Sequence, residues 1–174
     1  VIGTDTSWRV KESCVSQIGG WNWNNFGGER FDAREVIEDA DQIDLDDSSW
    51  MQAREIPAPN VVHSWQGCES ARLSDPVKPV EIRRLQNGKW VIDFGRPYEF
   101  GLKMHDLKAG QEVQINYADI DDNLNARKLA FRSNADGFQD FNQQDLFISA
   151  GKSAETFCSR FNYHSFRYAV VAGL

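Results

Sequence analysis

Six residues, Glu29 through Arg34, carry the densest chemistry in this chain. Glu29 and Asp32 are acceptors, and Arg34 is a planar two-pronged donor. The glycines Gly27 and Gly28 just before them allow backbone N–H groups to come close to a bound molecule. Upstream, Trp21 and Trp23 supply flat apolar faces. Acceptors, a guanidinium and an indole face together suit a polyhydroxyl ring: the polar groups fix hydroxyls while the aromatic face stacks. The same residues admit a second reading, in which an Asp32–Arg34 pair inside a strand merely pins the turn that follows.

Other chemistry is poorly represented. There is no Gly-x-Ser-x-Gly elbow, no His-Glu-x-x-His, no phosphate loop and no dinucleotide fingerprint. His63, His105 and His164 are isolated in sequence and read as structural, hydrogen-bonded histidines. Glycoside cleavage needs two carboxyls flanking the bond, but no pair stands out among 26 acidic residues, so no catalytic residue is singled out. Two acidic stretches, Asp39 to Asp47 and Asp119 to Asn123, offer hard oxygen ligands of the kind calcium takes. Both lack the glycine and glutamate spacing of an EF-hand, so no cofactor is required and Ca²⁺ is the one ion to consider. Cys14, Cys68 and Cys158 contain no C-x-x-C pair and read as small buried hydrophobes.

The elements that must position these groups are strands. Period-two alternation is clear at Val113, Ile115 and Tyr117. Further strands are expected near Trp8, at Arg30–Val36, Val61–Ser64, Val80–Leu85, Lys89–Phe94, Glu99–Leu107, Lys128–Arg132, Gln144–Ser149, Thr156–Phe161 and Phe166–Ala172. Asn87-Gly88 suggests a type I′ hairpin turn, and Ile18 to Gly28 a loop. In the last fifteen residues aromatic and basic residues alternate, which predicts aromatics on one sheet face and arginines on the other. Turn signals every eight to twelve residues, with no amphipathic helix, call for an all-β fold: an antiparallel β-sandwich of jelly-roll or galactose-binding-like type. A net charge of −7 argues against a nucleic-acid partner and suits a neutral one such as a carbohydrate. No apolar run is long enough for a membrane span.

Several stretches, in order, resemble the bacterial α-L-rhamnosidases, a family of inverting glycoside hydrolases. They are Thr4-Asp5-Thr6-Ser7-Trp8-Arg9, Gly28-Glu29-Arg30-Phe31-Asp32-Ala33-Arg34, Asp47-Ser48-Ser49-Trp50, Val91-Ile92-Asp93-Phe94-Gly95 and Arg160 through Val171. Phe31 stands where the family has Tyr, and Ser165 where it has Gly. The resemblance implies a partial N-terminal sandwich module of possible rhamnose-binding type at residues 1–58, packed with a β-sandwich domain at 59–174. It implies a non-catalytic portion of a longer enzyme whose catalytic carboxylates lie in a later (α/α)₆ barrel of the same polypeptide. In some members the first module binds rhamnose with calcium, which would carry over to Glu29, Asp32 and Arg34. An extracytoplasmic location follows from the glycans the family acts on. Two alternatives stand beside this: a small stand-alone glycan-active enzyme using surface carboxylates, and a purely structural interaction domain.

Overall fold

In a computed structural model the regular structure of the described residues is strand throughout, apart from one short 3₁₀ turn. The structure describes residues 3–22, 25–62, 64–70, 72, 75, 77–98, 101–118, 144–162, 164 and 166–174, with backbone alone at 19–22, 25–27 and 97–98. The expected strand at Lys128–Arg132 and the acidic stretch Asp119–Asn123 lie outside these residues. Two compact units interleave along the sequence: Val1–Glu12 with Ile37–Pro76, and Ser13–Val36 with Val77–Leu174.

In the first unit, strands β1 (Arg9–Val10) and β4 (Met51–Gln52) pair antiparallel. Each is entered through a turn that an aspartate fixes. Asp5 accepts from the Ser7 backbone N–H at 2.8 Å, and Asp46 accepts from Ser48 N–H at 3.0 Å. Such Asx turns compete well against regular structure at short polar runs. The region of the expected Val61–Ser64 strand holds no strand among its described residues.

The second unit contains a seven-stranded sheet, ordered β2 (Val15–Asn22), β3 (Asn25–Asp32), β9 (Gln144–Ile148), β8 (Glu112–Ala118), β11 (Phe166–Ala172), β6 (Trp90–Tyr98) and β5 (Glu81–Arg84). A second sheet pairs β10 (Ala154–Cys158) with β7 (Gly101–His105). Met104 and Phe157 from the small sheet join Val113, Ile115, Phe147 and Ala169 of the large one in a single core, giving the sandwich. Phe31, Phe147 and Phe157 interlock there with ring centroids 5.9–6.0 Å apart. Burying each phenyl is worth roughly 1.5–3 kcal/mol. A smaller cluster of Val91, Ala118, Tyr168 and Val170 occupies the opposite face of the large sheet.

Four local expectations are corrected. The segment expected as a loop, Ile18 to Gly28, is most of a hairpin, whose register shifts between Ile18 and Trp21. The sheet is mixed, because β3 runs parallel to β9 while the other pairs are antiparallel. The hairpin between β5 and β6 is not type I′. Gly88 has φ +83° whereas Asn87 is not in the left-handed region. Leu85 and Lys89 close a three-residue loop, with Gly88 N–H bonded to Leu85 O at 3.0 Å, the type I turn plus bulge that such loops favour. The terminal aromatics do not share one face either. A register shift between Phe166 and Tyr168 sends Phe166 into the main core and Tyr168 into the smaller cluster.

Candidate functional site

Asp32 ends β3 and caps a single 3₁₀ turn, Ala33–Glu35. Its carboxylate, fully buried, accepts from Arg34 N–H at 3.2 Å, Arg34 Nε at 2.8 Å and Arg34 Nη2 at 2.7 Å. Arg30 Nη2 adds a bond of 2.9 Å. The Arg34 bonds hold the Asp32 carboxyl down at about 2 and push the Arg34 guanidinium up. The expected Asp32–Arg34 pair therefore forms, but across the strand end rather than inside the strand, and both Asp32 oxygens are spent on it.

Glu29, three residues earlier, is also buried. Its carboxylate accepts from Ser159 Oγ at 3.0 Å and from three successive backbone N–H groups: Arg160 at 2.9 Å, Phe161 at 2.5 Å and Asn162 at 2.6 Å. Successive N–H groups converging on one anion form a nest, and here the anion belongs to the protein itself. This clamp ends β10 at Cys158, short of the strand expected through Phe161. Arg160 meanwhile lies over the Phe31 ring at 5.6 Å.

A second buried carboxylate backs the first. Asp145 Oδ1 accepts from Glu29 N–H at 2.7 Å, and its Oδ2 accepts from Tyr117 Oη at 2.7 Å. His164 Nε2 lies 3.2 Å from the same oxygen without hydrogen-bond alignment, and its ring stacks on Tyr117 at 4.1 Å. Burial, with the Asp145 charge second, pushes the Tyr117 hydroxyl well above its ordinary value, so it stays a donor. Sequence reasoning missed Asp145 and Ser159. No local spacing signals them, because Glu29, which both of them contact, lies more than a hundred residues away.

Two further buried carboxylates are similarly committed. Asp93 receives Arg167 Nε and Nη2, both at 2.9 Å, and these bonds lower its pKa. Glu155 accepts from Ser149 Oγ and from Ala150 N–H, which fixes the turn before β10.

Glu29, Asp32 and Arg34 are thus close in the fold, but Glu29 and Asp32 face different internal donors. Trp23 lies outside the described residues, as does the Trp21 side chain. Among the described residues no three His, Cys, Asp or Glu converge as metal ligands, none of the three cysteines forms a disulfide, and no helix is long and apolar enough to cross a membrane. A shallow cavity of about 250 Å³ lies against Gly28 and Glu29, lined also by Val15, Ser16, Gln17 and Phe161.

Comparison with known proteins places this architecture. Residues 1–75 match the alpha-L-rhamnosidase N-terminal domain. An alpha-L-rhamnosidase of Formosa agariphila is 28% identical over 99% of the chain, yet that span is 18% of its own length. The solved alpha-L-rhamnosidase of Dictyoglumus thermophilum superposes with a TM-score of 0.78 at 26% identity, over 99% of this chain and 18% of that one. The Streptomyces avermitilis alpha-L-rhamnosidase, solved in complex with L-rhamnose, shares the fold at TM-score 0.77 and 21% identity, covering 99% and 16%. The chain therefore spans less than a fifth of these relatives. Residues 83–174, which hold most of the large sheet and all of the small one, match the bacterial alpha-L-rhamnosidase concanavalin-like domain, and the chain belongs to that family.

Proposed function

We propose that this chain is the non-catalytic β-sandwich portion of a longer α-L-rhamnosidase, supporting a catalytic barrel in the same polypeptide and holding a rhamnose-containing glycan. Coverage carries the reading: similarity runs through nearly the whole chain but through only 18% of the Formosa relative. The chemistry agrees. Cleaving a glycosidic bond takes two carboxyls free to exchange protons or attack. Among the described residues the buried carboxylates Glu29, Asp32, Asp93, Asp145 and Glu155 all accept hydrogen bonds from internal donors.

The test uses the purified 174-residue chain. Incubated with an aryl α-L-rhamnoside it releases no phenol above buffer. Turnover would overturn the non-catalytic assignment and favour a small stand-alone enzyme. Titration with L-rhamnose, followed by amide chemical shifts, produces saturable changes at millimolar sugar, and running it with calcium and with chelator decides whether the ion takes part. A flat titration in both conditions removes the binding half.

A second reading has its own support. Because Glu29 and Asp32 spend their oxygens internally, the chain can serve as a purely structural interaction domain. It then predicts that Glu29→Ala and Arg34→Ala change stability alone.

A further inference from the structure

Phe161 is an anomaly on this surface. Its side chain is 73% exposed, yet its backbone is fixed to a buried carboxylate. Glu29 bonds its N–H and those of both neighbours. An exposed phenyl on a clamped loop is presented to solvent in a fixed place, which reduces the ordering cost of binding. It forms one wall of the cavity whose described lining also includes Val15, Ser16, Gln17, Gly28 and Glu29.

The lining selects the occupant by charge and by shape. Among its described lining residues none is basic, and the Glu29 carboxylate already accepts from four internal donors. These residues offer no counter-charge to an anion or a cation, which favours a neutral occupant. Phe161 and Val15 offer apolar surface, while Ser16 and Gln17 bring polar groups along β2. A volume of about 250 Å³ falls just under the ~300–1,000 Å³ of sites for drug-sized ligands and fits one ring rather than a chain. A pyranose has the matching character, with an apolar C–H face for the phenyl and hydroxyls at its edge. A deoxy sugar adds a methyl group for Val15.

We propose that this cavity is a monosaccharide subsite whose stacking platform is Phe161 and whose Glu29 is a positioning residue rather than a sugar ligand. The proposal rests on the carbohydrate-binding reading above and locates it on the β2–β3 hairpin and the 159–162 loop.

The experiment is an amide-shift titration of the full chain with methyl α-L-rhamnoside, repeated on Phe161→Ala and Phe161→Trp. Phe161 is exposed, so neither variant disturbs the core. In the unaltered chain the changes centre on residues 15–17, 28–29 and 160–162. Phe161→Ala weakens binding about tenfold or more, and Phe161→Trp, which keeps a stacking face, binds as well or better. Saturable shifts elsewhere, with Phe161→Ala binding as the parent does, would overturn the location and leave the sugar-binding reading standing. No shifts at all would overturn both.

Discussion

Glu29 shows how one carboxylate can organise a loop far from it in sequence. Its donors come 130 to 133 residues later, so nothing around position 29 announces them, and the residue types suit a sugar ligand equally well. Asp32 and Arg34 are legible by contrast, because a carboxylate and a guanidinium two residues apart at a strand end can meet locally. Glu29→Ala leaves a hydroxyl and three N–H groups without their acceptor in a half-buried place. A loss of about 3–5 kcal/mol is expected, read from urea unfolding, together with faster hydrogen exchange at Arg160, Phe161 and Asn162. A loss below about 1 kcal/mol would mean that water replaces the clamp. Asp32 makes a pH prediction. Its carboxyl sits at about 2 in the folded chain against about 3.9 when unfolded. As pH falls below about 4 the unfolded chain takes up the proton first, so the stabilisation is full above that point and drains away down to about 2. Asp93, also lowered by its arginine, acts in the same direction. Urea midpoints taken from pH 7 to pH 2.5 should fall less steeply at the acid end for Asp32→Asn than for the parent, though they start lower. Equal slopes would show that Arg34, half exposed and screened by solvent, contributes no net coupling.

Among the elements, the strands with an internal signature were readable and those defined by a distant partner were not. β8 alternates Val113, Ile115 and Tyr117 into the core, and that pattern is visible in sequence because one face is buried and period two follows. The β2–β3 hairpin has no such pattern. Its glycines and asparagines look like loop, and its strand character comes from the pairing of β2 with β3 and, at Arg30 to Asp32, of β3 with β9. Gly28 shows the dependence directly. A Cβ there would lie 1.4 Å from the Gln144 carbonyl oxygen and 2.9 Å from Asp145 Oδ1, so the glycine answers to close strand approach and not to a ligand. Gly28→Ala forces β3 away from β9. The expected cost is about 3 kcal/mol, at the upper end of overpacking, with amide protection lost at residues 29–32 and 144–148 while β6 and β11 keep theirs. A mild effect, or a loss spread evenly over the sheet, would contradict this account of the parallel pair.

At the scale of the whole molecule, the two units are unequal in what holds them. The described regular structure of the first is the two-residue pairing of β1 with β4, and Ile56, Val62 and Trp65 are largely exposed there. Both hydrophobic clusters lie within the second unit. Stretches with few buried contacts open most easily and are cut first by proteases. Limited digestion should therefore nick the chain within residues 37–76 before it touches the large sheet. That nick separates 13–36 covalently from 77–174, yet the parallel β3–β9 ladder, the Phe31 contacts and the Glu29 clamp all cross the gap. The two fragments should co-elute on gel filtration and appear as one non-covalent mass at neutral pH. They should part in urea, and more readily in the Glu29→Ala background. Release of the N-terminal fragment that carries 13–36 on nicking alone would show that the hairpin belongs with the first unit, and the parallel pairing that frames the cavity would fall with it.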